Sequence, residues 1–128
     1  MRSRGLLAIL LATYCAATLL HFTHNAVYAG DYPNLPASLT APTIYTAWLA
    51  VTSVGLAGCL ALWRGWRIAG LLILAAYAAL GFDGLLHYQL APMSAHTAMM
   101  NFTILFEATA AILLLAAVAL QMRRALSK

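Results

Sequence analysis

Four long apolar runs dominate the chain, and the polar residues between and within them are confined to a few places. The runs lie at roughly 5–29, 44–63, 68–90 and 97–122, and each approaches or exceeds the ~20 apolar residues that a spanning helix needs. This pattern predicts an all-α integral membrane protein, an antiparallel bundle of four transmembrane helices forming a single domain. Composition agrees, since 64% hydrophobic and 8% charged residues in a chain of 128 are far from the balance of a soluble domain. No internal repeat, low-complexity tract or linker interrupts the series.

The segments between the runs carry the expected breakers. "GDYPNLPASLTAP" supplies Gly30, Pro33, Pro36 and Pro42, with Thr40 placed to cap the second helix. At "LAPMSAH" Pro92 ends the third helix and Ser94 is placed to cap the fourth. The short "WRGWR" forces the second and third helices antiparallel. Gly55 and Gly58 in the second run, and Gly81 and Gly84 in the third, permit close helix contact. A secretory-signal reading of the first run, suggested by Arg2 and Arg4 before it, is outweighed by helical spacing that continues past His21 to Tyr28 and by poor cleavage signals.

Charge changes the picture from spans to topology. Arg2 and Arg4 precede the first run, Arg64 and Arg67 separate the second and third, and Arg123, Arg124 and Lys128 follow the fourth. All seven basic residues therefore fall on one side, which by the positive-inside rule makes both termini cytoplasmic. The net charge of +4 is then a topology signal, and nothing supports a nucleic-acid partner. Trp63 and Trp66 are expected in the inner aromatic belt, with Tyr28, Tyr32, Tyr45 and Tyr88 near the outer one.

All four histidines and all three acids fall in the half opposite the basic residues, with Glu107 alone lying deep, and "LHFTHNAVYAGDYPNLP" begins that group. Helical periodicity puts Tyr14, Thr18, His21, Asn25 and Tyr28 on one stripe with His24 beside it. It puts Asp83 and His87 on one face of the third helix, and His96, Met100, Thr103 and Glu107 on one face of the fourth. In lipid such stripes face the interior. Neutral imidazole and ionised carboxylate are usual ligands of first-row transition metals. The leading expectation is a metal site of His21, His87 and His96, with Asp83 as ligand or orienting group and His24 as alternative ligand. Met93 and Met100, with Met99, surround His96 and tilt the choice toward copper ahead of zinc and iron, although methionine is also an ordinary gap-filler.

Glu107 lies deep, about three turns below His96, where an ionised carboxylate is costly unless paired, neutral or wet. It reads either as a proton relay between core and outer site or as a neutral acid hydrogen-bonded to Thr18, Thr103 or a backbone carbonyl. Asp31 reads as a loop residue, Cys15 and Cys59 as unpaired small hydrophobes at different depths, and Asn101 as an interhelical hydrogen bonder. Two rivals remain for the function: a b-type haem clamped by two histidines as an electron carrier, and a non-catalytic subunit or assembly factor whose polar stripes dock a partner. A covalent c-type haem is excluded, because no CxxCH occurs. A bacterial inner membrane, with the site facing the periplasm, is the expected location, with a homo-oligomer or larger membrane complex as possible assemblies. An enzyme remains open, because a hydrated metal beside an acid serves hydrolysis or redox chemistry alike.

Overall fold

The computed structural model describes residues 2–127, with side chains from Gly5 onward; Lys128 and the side chains of Arg2 and Arg4, which belong to the charge pattern, lie outside the described residues. The helices are α1 (Arg2–Val27), α2 (Ala41–Trp63), α3 (Arg67–Leu80), α4 (His87–Leu90) and α5 (Ala98–Leu126). Turns of 3-10 helix occupy Ala29–Asp31, Asp83–Leu86 and Met93–Ala95, and no strand occurs among the described residues. Four stretches are long and apolar enough to cross a membrane: Gly5–Val27, Ala41–Trp63, Arg67–Leu90 and Ala98–Leu126. Even the 23-residue α2, at 1.5 Å per residue, is about 35 Å long, more than the ~30 Å of bilayer hydrocarbon. Helices of this length and apolarity fit a lipid bilayer.

The helices form a ring of contacts, in which α1 packs on α2 and α5, and α3 packs on α2 and α5. Leu7 of α1, Leu71 and Leu74 of α3, and Leu114 and Val118 of α5 meet in one buried cluster with Tyr14 and Tyr77. Small residues let these elements approach: a Cβ on Gly55 would stand 2.7 Å from Tyr77, and one on Gly58 would stand 2.7 Å from Leu74. At the other end a smaller cluster joins Tyr32, Met100 and Ile104.

Three local expectations are corrected. The third run is not one helix to residue 90: α3 stops at Leu80, and the chain passes through a turn and the 3-10 segment Asp83–Leu86 before α4. Two weak helix formers, Gly81 and Gly84, flank this break. A Cβ on Gly81 would collide with Tyr14 and Ala111, and one on Gly84 would crowd Glu107 and His21. Ser94 does not cap the fourth span, because it lies in the turn Met93–Ala95. The cap is Thr97, whose extended backbone lets its hydroxyl accept the Met100 N–H at 3.2 Å, while the Met100 Sδ accepts the Thr97 N–H at 3.4 Å. Thr40 does stand at the N-cap of α2 with Pro42 in the first turn, but its hydroxyl pairs with that of Thr43 at 2.9 Å rather than with a backbone N–H.

Candidate functional site

The ends of α1, α4 and α5 converge on a buried polar group. His21 and Glu107 are each 1% exposed, and His87 and His96 are each 7% exposed. One turn of helix separates His21 from Asn25, so both face the same neighbours. The Asn25 amide nitrogen donates to Nε2 of His21 at 3.1 Å and to Nε2 of His87 at 3.3 Å. With the Asn25 amide nitrogen in this position, both Nε2 atoms carry the lone pair and both Nδ1 atoms the hydrogen. The His21 Nδ1–H then donates to Thr103 Oγ at 3.3 Å, and that hydroxyl in turn donates to the Met100 carbonyl at 3.0 Å. The His87 Nδ1–H is buried without a hydrogen-bond partner among the described residues.

His96 follows the same logic from another element. Its Nδ1 faces the Pro92 carbonyl at 3.0 Å, so Nδ1 is the donor and Nε2 holds a lone pair, which is buried and has no partner among the described residues. The rings step across the site: His21 to His87 centroids are 5.5 Å apart and His87 to His96 centroids 6.1 Å.

Glu107 projects from α5 beneath this row. Its Oε2 lies 3.6 Å from His21 Nε2, just beyond a hydrogen bond, and neither carboxyl oxygen has a hydrogen-bond partner among the described residues. The partners foreseen for it, Thr18 and Thr103, are engaged elsewhere: Thr18 donates to the Cys15 carbonyl at 2.9 Å and accepts from Trp48 Nε1 at 3.2 Å. Gly84 sits where a Cβ would come 3.1 Å from Glu107 Oε2 and 3.2 Å from His21 Nε2. The bare backbone of the broken span therefore closes over the histidine–carboxyl contact.

The other foreseen residues distribute as follows. His24 is partly buried and its Nδ1 pairs with the Tyr32 hydroxyl at 2.8 Å. Asp83 is exposed in the 3-10 turn and shares with His21, Asn25 and His87 the wall of a cavity of about 460 Å³. Met93 and Met99 are exposed, and the buried Met100 uses its sulfur in the cap of α5. Asn101 accepts from the Tyr88 hydroxyl at 2.9 Å and donates to the Met93 carbonyl at 3.1 Å, tying α4 and the following turn to α5. Cys15 and Cys59 are free. Among the described residues, no three His, Cys, Asp or Glu side chains stand close enough to hold one metal ion.

Tyr32 is the residue whose burial in the site sequence reasoning did not foresee. It folds back from the first loop to 3% exposure and meets three imidazoles: His87 at 4.7 Å between ring centroids, His24 at 5.8 Å and His96 at 6.4 Å. Burial pushes its phenol up to about 12, opposed by a hydrogen bond with Thr103. The only signal for this was an aromatic residue beside the turn former Pro33, which gives no direction. Comparison with protein-family models, with curated proteins and with solved structures gives no significant match.

Proposed function

We propose that this is a four-span membrane protein whose histidine-bearing end holds and passes protons between the surface and the buried Glu107. The observation that carries the reading is the Glu107 carboxyl, buried without a hydrogen-bond partner among the described residues and 3.6 Å from Nε2 of His21. With no lysine or arginine in the spans' interior, such a carboxyl holds a proton more cheaply than a charge. His21 Nε2 is the nearest base to receive that proton. Asn25 stands between the Nε2 atoms of His21 and His87, so a turn of its amide would let a proton on one ring pass to the lone pair of the other, and Tyr32 and then His24 lie beyond His87 toward the loop. The basic residues on one side of the spans argue for cytoplasmic termini in an antiparallel bundle. The relay then opens to the outer face, which in a bacterial inner membrane is the periplasm.

The test is hydrogen–deuterium exchange of the Glu107 acid, followed by the carboxylic C=O infrared band in detergent micelles. A band absent from Glu107→Gln identifies the group. Its exchange in wild type should be at least tenfold faster than in His21→Phe; equal rates in the two proteins would sink the relay.

One observation favours a second reading. The Nε2 lone pairs of His21 and His87 converge on one point, the Asn25 amide nitrogen, with Glu107 beside it. If Asn25 turned aside, a transition metal ion, copper first and then zinc or iron, could take that point. Elemental analysis of the purified protein with a visible spectrum decides this. Near-stoichiometric metal lost in His21→Ala/His87→Ala would favour the ion, and a Soret band would favour haem b. Neither signal, together with rapid exchange at Glu107, would favour the relay.

A further inference from the structure

The cavity of about 460 Å³ lies among α1, α2, α4 and the first loop, and falls in the range typical of small-molecule sites. Its floor is polar, formed by His21, Asn25, Asp83 and His87, and its remaining wall is largely apolar. Leu39, Leu86 and Leu90 line it while remaining 37%, 54% and 39% exposed, so its rim is apolar as well. Leu86 and Leu90 lie at the end of the stretch Arg67–Leu90 and Leu39 just before Ala41–Trp63, so in a bilayer the rim would stand at the boundary between hydrocarbon and head groups.

The backbone supplies an independent sign. The third span leaves α-helical geometry after Leu80, and irregular backbone at membrane depth persists where it is buried in protein or lines a cavity. Here it does line one, since Asp83, Gly84 and Leu86 of the 3-10 turn belong to the cavity wall. A broken spanning helix at a polar-floored cavity is an arrangement that membrane proteins use for ligand sites.

The floor also selects the head group. Asp83 is the one acid on the cavity wall, and among the described residues no lysine or arginine lines it, so a carboxylate or phosphate head would find no fixed positive charge there. The volume admits one ring and a short length of tail, too little for a two-chain lipid. A neutral head with an exchangeable proton suits a floor of carboxylate and imidazole, and a phenol, with a proton far more acidic than that of an aliphatic alcohol, suits it best. We infer that this cavity binds a lipid-soluble phenol of the quinol type, ring toward Asp83 and His87 and tail toward the leucine rim. The choice of a proton-bearing ring rests on the relay proposed above; the cavity and the broken span do not.

Binding of a decyl-substituted benzoquinol to the purified protein in detergent micelles, measured by calorimetry beside decanol and decanoic acid, tests the inference. Saturable binding of the quinol at least tenfold tighter than either control is expected. Ala47→Phe, which fills the cavity from α2 away from Glu107, should weaken it at least tenfold while leaving Glu107 exchange unchanged. Glu107→Gln should still bind the quinol, so failure of the relay and failure of the cavity are read separately. Equal binding of decanol, tighter binding of decanoic acid, no binding at all, or quinol binding untouched by Ala47→Phe would each overturn the inference.

Discussion

The two ends of the molecule solve opposite problems. At the end near Leu7, Leu71 and Val118, the interior is apolar and close-packed, with Leu71, Leu74 and Leu114 fully buried and glycines on α2 accepting Tyr77 and Leu74. At the histidine-bearing end the interior holds five polar atoms without hydrogen-bond partners among the described residues, on Asn25, His87, His96 and Glu107, and a cavity beside them. Buried polar groups cost free energy unless they are paired. One end therefore contributes stability and the other withholds it, as is usual where a site is kept reactive.

The sharpest way to break this contrast is Leu74→Ala at the packed end. Removing a fully buried leucine should cost about 2–5 kcal/mol, seen as a fall in thermal stability in detergent. An intermediate effect belongs to Tyr32. The folded state holds the phenol proton more tightly than the unfolded chain, so stability is full below the ordinary value of 10.0 and declines as pH rises through about 12. That loss is on the order of 2 kcal/mol. Unfolding midpoints measured across that window should fall less steeply in Tyr32→Phe than in wild type. The smallest change is expected for Glu107→Leu, within about 1 kcal/mol of wild type or slightly more stable, because an unpaired buried carboxyl is exchanged for an apolar group. A large destabilisation there would mean that Glu107 is a structural partner, and the contrast between the ends would collapse.

Much of the architecture was legible, because spanning helices are set by local composition. Four apolar runs announced four spans, and the small residues foreseen at Gly55, Gly58, Gly81 and Gly84 are all at close contacts. Periodicity placed His21 with Asn25, and His96 with Thr103 and Glu107, on shared faces. It could not give distances across helices, so the single-ion set of His21, His87, His96 and Asp83 was drawn together on faces alone. The break after Leu80 was hidden because no proline marks it. What interrupts the helix is a close approach to Tyr14, His21 and Glu107, a property of the folded neighbours. Thr97 was passed over for Ser94 because either hydroxyl could cap, and only the backbone angles of the turn decide between them. Tyr32 was lost for a similar reason, since a loop side chain takes its direction from the turn that carries it.

The shared amide of Asn25 has one more consequence. Its nitrogen satisfies two imidazoles only while both present a lone pair, and its Oδ1 meanwhile has no partner among the described residues. Protonation of either Nε2 turns that acceptor into a donor and sets nitrogen against nitrogen. A half-turn of the amide then presents the oxygen instead. Asn25 is thus a two-position flag whose orientation records whether the pair of rings is empty or singly loaded, and double loading leaves one oxygen to answer two charged rings.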